Sequence, residues 1–275
     1  MKKKSIIVSL VLLLMILCGG GYYWYSQIKV PYDNAIKNFQ KEANIVKKEN
    51  SVLDKEIAKG QKVLDSGDKP LNENTFTDLQ VAISTANEAK RNIPSPPKKT
   101  DQVKVETTKL AATLDYSNET KDLQTAISEA DKSIKQLKQV TAPTQDFVIL
   151  RLKNVDMIQD IMPVTEENDP NGNLNKAGGY TSSIYFSSNL IDQSSVYGKD
   201  LIEKGTEAGG CIEVYKTVEE ANKRNDYLAG FDGGGILSSG SHTVIGTIVV
   251  RTSDKLTATQ QKELESKIIE SLTKV

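Results

Sequence analysis

The densest cluster of potential ligand oxygens in this chain is the loop Thr165-Glu-Glu-Asn-Asp-Pro-Asn-Gly-Asn173. Calcium takes about six to eight oxygen ligands, and a turn rich in Asp, Asn and Glu offers them. Glu167, Asp169 and Asn171 are the candidate ligands, with Gly172 where an EF-hand loop has its turn glycine. The closing position, which needs a bidentate glutamate, then falls on Gly178, so the EF-hand pattern is incomplete. The same residues also build an ordinary solvated turn. Calcium is therefore the only cofactor the sequence suggests.

His242 is the single histidine. With Asp232, Ser238, Ser239 and Ser241 nearby, it raises a hydrolase reading, a cell-envelope hydrolase whose site is assembled around it. No G-x-S-x-G elbow accompanies these residues, and closeness in sequence is not a triad in space. The glycines of Gly230-Phe-Asp-Gly-Gly-Gly235 resemble an anion cradle, but a strand rather than a helix is expected after them, so a connection is the better reading. Cys211 reads as a small core residue, because nothing electropositive flanks it. Tyr180, Tyr185, Tyr197, Tyr215 and Tyr227 have an apolar body and a polar tip, as pocket-lining side chains do. Tyr180, Tyr185, Tyr215 and His242 are the candidate ligand-binding set. No complete catalytic set is present in the sequence, so no catalytic residue is assigned.

These residues lie in a chain with an uncharged run from Ser5 to Tyr25, preceded by Lys2, Lys3 and Lys4. At about 1.5 Å per residue that run is of membrane-spanning length. A basic flank stays in the cytoplasm, and the aromatic group Tyr22, Tyr23, Trp24 and Tyr25 suits the opposite interface. The expectation is a signal-anchor helix at residues 5–25 with a cytoplasmic tail of residues 1–4 and the bulk of the chain outside the cytoplasm. A cleaved signal peptide, or a lipoprotein signal ending at Cys18, would place residues 30–275 on the same side.

Residues 30–140 read as a helical stalk. Ile36, Phe39, Ala43, Val46, Asn50, Leu53, Ile57, Gly60 and Leu64 trace one seam at three- and four-residue spacing. Ser66-Gly-Asp-Lys-Pro70 and Ile93-Pro-Ser-Pro-Pro97 end successive helices, and Asp115-Tyr-Ser-Asn118 divides a third region. Asp78-Leu-Gln-Val-Ala-Ile-Ser84 recurs as Asp122-Leu-Gln-Thr-Ala-Ile-Ser128, an offset of 44 residues. The seam fits either a bundle within one chain or a coiled-coil oligomer with Asn50 setting register. On this spacing and repeat, the stalk resembles the FIVAR-type helical modules of Gram-positive surface proteins, which implies a spacer or an adhesive module.

Past Pro143, glycine, aromatic and β-branched residues rise, and residues 144–275 read as an α/β head of the α+β class, helices packed on one face of a short sheet. Thr144 caps a helix expected to carry Phe147, Leu150, Val155, Ile158 and Ile161. Residues 181–188, 210–216 and 244–252 are the expected strands. Thr217-Val-Glu-Glu220 and Thr257-Ala-Thr-Gln260 are capping boxes. Thr165-Glu-Glu-Asn-Asp-Pro-Asn-Gly172, Gly178-Gly-Tyr-Thr-Ser-Ser-Ile-Tyr-Phe186, Gly209-Gly-Cys-Ile-Glu-Val-Tyr215, Arg224-Asn-Asp-Tyr-Leu228 and Gly246-Thr-Ile-Val-Val-Arg251 resemble a domain of membrane-anchored or secreted Gram-positive proteins for which no activity is established. That resemblance implies location and domain boundaries, not a reaction. Residues 146–275 carry 13 basic and 19 acidic groups, which disfavours a phosphate backbone and hence nucleic acid. The expected protein is a non-catalytic display of a binding head, its partners the membrane and an envelope protein or cell-wall component.

Overall fold

The computed structural model describes residues 2–233 and 240–275, with side chains from Ile7 onward. The chain divides into two compact units, one of residues 1–66 and 76–128, the other of residues 67–75 and 129–275.

The first unit opens with α1 (Lys2–Trp24). It is long and apolar enough to cross a membrane, and every side chain from Ile7 to Tyr25 is exposed. A π turn, Tyr25–Lys29, joins it to α2 (Val30–Leu64), with the Val30 amide donating to the Tyr25 carbonyl. In a regular α-helix the ring of Pro31 would meet the carbonyl of Gln27. The wider turn lets the chain pass that proline without a break.

Phe39, Val46, Leu53 and Gly60 of α2 are buried. The first two pack with Val103 and Leu110 of α4 (Thr100–Leu110). Leu79 of α3 (Asn74–Ala89) and Leu123 of α5 (Ser117–Gln139) are repeat equivalents, and both are fully buried. The repeat thus marks the inward face of two different helices. Asn50, the polar member of the seam, is satisfied within the chain. Its amide donates to the Arg91 carbonyl at 2.9 Å, and its carbonyl accepts from Tyr116 Oη at 2.6 Å. Arg91 in turn donates to the carbonyls of Leu110, Ala112 and Thr113, satisfying orphan groups at the end of α4.

The second unit is built on a five-stranded antiparallel sheet of order β1-β2-β3-β5-β4. Its strands are β1 (Ile158–Pro163), β2 (Ser182–Ser188), β3 (Gly209–Val214), β4 (His242–Ile245) and β5 (Ile248–Thr252). Ile184, Phe186, Ile212, Val214, Ile248 and Val250 point to one face. They are covered by α6 (Gln145–Leu152) and α9 (Ala258–Thr273), whose Leu264, Ile268 and Leu272 are fully buried. Gly210 lies opposite Phe186, where a Cβ would stand 2.4 Å from the phenyl ring; only glycine leaves that ring its place.

Three expectations change. The helix from Thr144 stops at Leu152, and Ile158 and Ile161 belong to β1. Their spacing continued the helical pattern by coincidence. Pro163 ends an edge strand, where its missing N–H costs no ladder bond, and Leu150 is 61% exposed. The single strand expected at residues 244–252 is the hairpin β4–β5. Gly246 turns it with φ +59°, as the first central residue of a two-residue II′-type loop does. Helices also cover both faces, because α8 (Val218–Ala229) buries Ala221 and Leu228 against Val249, and the short α7 (Leu201–Lys204) buries Ile202 against Tyr185 and Cys211, on the side away from α9. Thr217 and Glu220 close the capping box that starts α8, and Thr257 and Gln260 close the one that starts α9.

The second unit also takes in residues 67–75 and 129–143. Leu71 and Leu137 pack on its core, Val140 is fully buried in it, and the Val140 carbonyl accepts from the Thr247 amide at 2.9 Å.

Candidate functional site

The α8 face of the sheet is where the polar side chains collect. Strand alternation sends Cys211 and Glu213 of β3, Arg251 of β5 and His242 of β4 to this face. Glu213 is 1% exposed, a carboxylate inside the core. Its Oε1 accepts from Arg224 Nη2 at 2.9 Å and from Arg251 Nη1 at 3.0 Å. Its Oε2 accepts from Arg224 Nε at 2.7 Å and from Tyr215 Oη at 2.9 Å. Burial opposes ionisation of Glu213, but the hydrogen bonds from Arg224 and the charges of Arg251 and Arg224 outweigh it and hold its pKa below the ordinary value. One carboxylate thus faces two guanidinium groups, which stay protonated in proteins.

Tyr180 approaches from the loop before β2. Its hydroxyl donates to Asp169 Oδ1, which also accepts from the Asn171 amide at 3.0 Å, while Asp169 Oδ2 accepts from the Leu174 amide at 2.7 Å. Burial, and then the bond to Asp169, raises the Tyr180 pKa; burial, and then the charge of Glu213, raises that of Tyr215. Both phenols remain donors committed to their carboxylates.

Tyr180, Tyr215, Asn171, Lys223, Arg224 and Tyr227 line one cleft of about 390 Å³. Two of the four expected ligand-binding residues, Tyr180 and Tyr215, therefore meet there, with Asn171 from the candidate metal set. Tyr185 packs instead with Val164, Ile202 and Cys211. His242 lies apart from the cleft lining, its Nδ1 2.8 Å from Asn225 Oδ1 and its Nε2 3.3 Å from Asp232 Oδ1. Ser241 Oγ donates to Glu265 Oε2 of α9 at 2.7 Å, on the opposite face, so Ser241 and His242 are not brought together. Ser238, Ser239, Gly234 and Gly235 lie outside the described residues.

Glu167 and Asn171 are at the surface of their loop, and the oxygens of Asp169 serve the loop's own amides and Tyr180. Among the described residues no group of three or more His, Cys, Asp or Glu side chains is arranged to hold a metal ion. Cys211 is fully buried with Ser183 Oγ 3.4 Å from its Sγ, and burial pushes its pKa up to about 12, so the thiol is protonated.

Arg224, Lys223 and Glu213 were absent from the sequence-derived set. One signal was available: Glu213 occupies an inward strand position between Cys211 and Tyr215, and a buried acid needs a cationic partner. Comparison of the chain with protein-family models, with curated proteins and with solved structures finds no match in any of the three.

Proposed function

We propose that this chain is a single-pass membrane protein whose second unit, outside the cytoplasm, binds a ligand or an envelope component without transforming it. The observation that carries the reading is the exposed apolar helix α1, which continues through the π turn into a folded unit. Lys2 to Lys4 at its start and the tyrosine-tryptophan cluster at its other end support the orientation. The cleft at Tyr180, Tyr215 and Arg224 supports binding: the Tyr180 and Tyr215 hydroxyls are donors committed to Asp169 and Glu213.

Topology is tested by labelling intact cells with a membrane-impermeant maleimide, using Lys62→Cys in the first unit and Lys199→Cys in the second. Both positions are exposed, while Cys211 is buried and Cys18 lies within the apolar helix. Labelling of both variants from outside supports the reading. Labelling only after lysis refutes it.

A further inference from the structure

The cleft leaves hydrogen-bond donors of its basic side chains unused. Of the nearby acids, Asp169 accepts on both oxygens from its own loop and Tyr180, and Glu220 accepts the Lys216 and Thr217 amides on Oε2. Arg224 gives Nε and Nη2 to Glu213 and rests over the Tyr227 ring at 5.4 Å. Its Nη1 has no acceptor among the described residues, so the end-on fork of the guanidinium is free. Lys223 lines the same cleft and has no acidic partner within 4 Å among the described residues. Behind Arg224, the single charge of Glu213 is shared with a second arginine, Arg251, whose Nε is buried with no hydrogen-bond partner. The buried cluster therefore carries one positive charge more than it neutralises, and Arg224 is its member on the cleft wall.

A planar fork of N–H donors matches the two oxygens of a carboxylate. A volume of about 390 Å³ walled by Tyr180, Tyr215 and Tyr227 has room for an organic group attached to that carboxylate. We propose that this cleft binds a small organic monocarboxylate of about dipeptide size, with its carboxylate on the free edge of Arg224 and beside Lys223. The proposal rests on the binding-module reading and supplies its ligand class.

The test uses the full chain in detergent micelles and saturation-transfer NMR. The probes are acetyl-dialanine, acetyl-alanyl-tyrosine and 4-hydroxyphenylacetate, each beside its carboxamide, with inorganic phosphate as a separate arm. The expected result is saturable binding of at least one acid, with its amide at least tenfold weaker. Lys223→Glu reverses an exposed charge without touching the core and should weaken that binding at least tenfold. Arg224→Lys should do the same while near-ultraviolet circular dichroism of the tyrosines is retained; if it unfolds, Lys223→Glu alone decides. Absence of binding by every acid, equal binding of acid and amide, or unchanged affinity in Lys223→Glu overturns the proposal. So does saturation by phosphate without any by the acids. The labelling experiment reads topology without reference to the cleft, so failure of one idea is distinguishable from failure of the other.

Discussion

Replacing Glu213 by Gln removes one charge, adds no volume and leaves two guanidinium groups facing a neutral amide. Glu213 accepts four hydrogen bonds, two from Arg224 and one each from Arg251 and Tyr215. Removing one partner of a buried ion pair costs about 3–5 kcal/mol, mostly because the remaining charge is stranded. Arg251 is 9% exposed, but the Arg224 side chain is 23% exposed and can recover some hydration. The expected loss is therefore at the low end, about 3 kcal/mol, or roughly 150-fold in an equilibrium constant. Amide hydrogen exchange reads this unit by unit: β3 and β5 amides should exchange about 10²-fold faster, with α2 and α4 unchanged. The triple variant Glu213→Leu, Arg224→Met, Arg251→Met removes the charges together and should recover most of the protection, because a buried ionic cluster replaced by apolar side chains is often near neutral. A change below threefold in Glu213→Gln, or a triple variant no better than the single one, would refute the electrostatic account.

Four further outcomes follow from particular residues. Because the folded pKa of Glu213 is depressed, its contribution is complete above the ordinary carboxylate value and is lost as pH falls through the folded value; acid titration by near-ultraviolet circular dichroism should show a steeper loss below about pH 4 in the parent than in Glu213→Gln. Asn50→Leu strands the Arg91 carbonyl and takes the acceptor from the Tyr116 hydroxyl, which still accepts from the Arg91 amide, and should cost the first unit about 1–2 kcal/mol by hydrogen exchange, with no change in sedimentation; a changed association state would instead give the α2 seam to a second copy. Gly246→Ala places a Cβ 2.3 Å from the Val140 carbonyl oxygen at φ +59° and should lower the melting temperature of the second unit, with a cost of about 2 kcal/mol or more. Cys211 should resist iodoacetamide in the native protein and react only on unfolding, since burial holds it as the thiol.

What could be read from the chain in advance was whatever is encoded locally. Gly67, at φ +78°, closes the turn after α2, Asp115 opens α5 by accepting from the Ser117 amide, and Thr217 and Thr257 start helices through caps three residues long. The long apolar run needs no partner to be recognised. The misreadings came where two periodicities overlap or where the decisive partner is distant. Ile158 and Ile161 fit a helical stripe, and only pairing with Ser188 and Phe186 makes them a strand. Val244 and Val249 looked like one strand because a single glycine hid the reversal. The site was half legible. Tyr180 and Tyr215 announced themselves by type and position. Arg224 did not, because an arginine on a charged helix is ordinary until β3 places Glu213 beneath it, eleven residues earlier in the chain.

The π turn at Tyr25–Lys29 has a mechanical meaning. From Ile7 to Leu64 the helical path is 58 residues long, about 85 Å, with no swivel in it. A twist of the apolar segment about its axis is therefore delivered to Phe39, Val46 and Leu53, the residues that meet the rest of the first unit, rather than absorbed by a linker. The wide turn takes up one extra residue in that shaft. Removing one residue from it would restore ordinary winding and leave the downstream face nearly in phase with the apolar segment, whereas removing one from the regular helix would turn that face by about 100°.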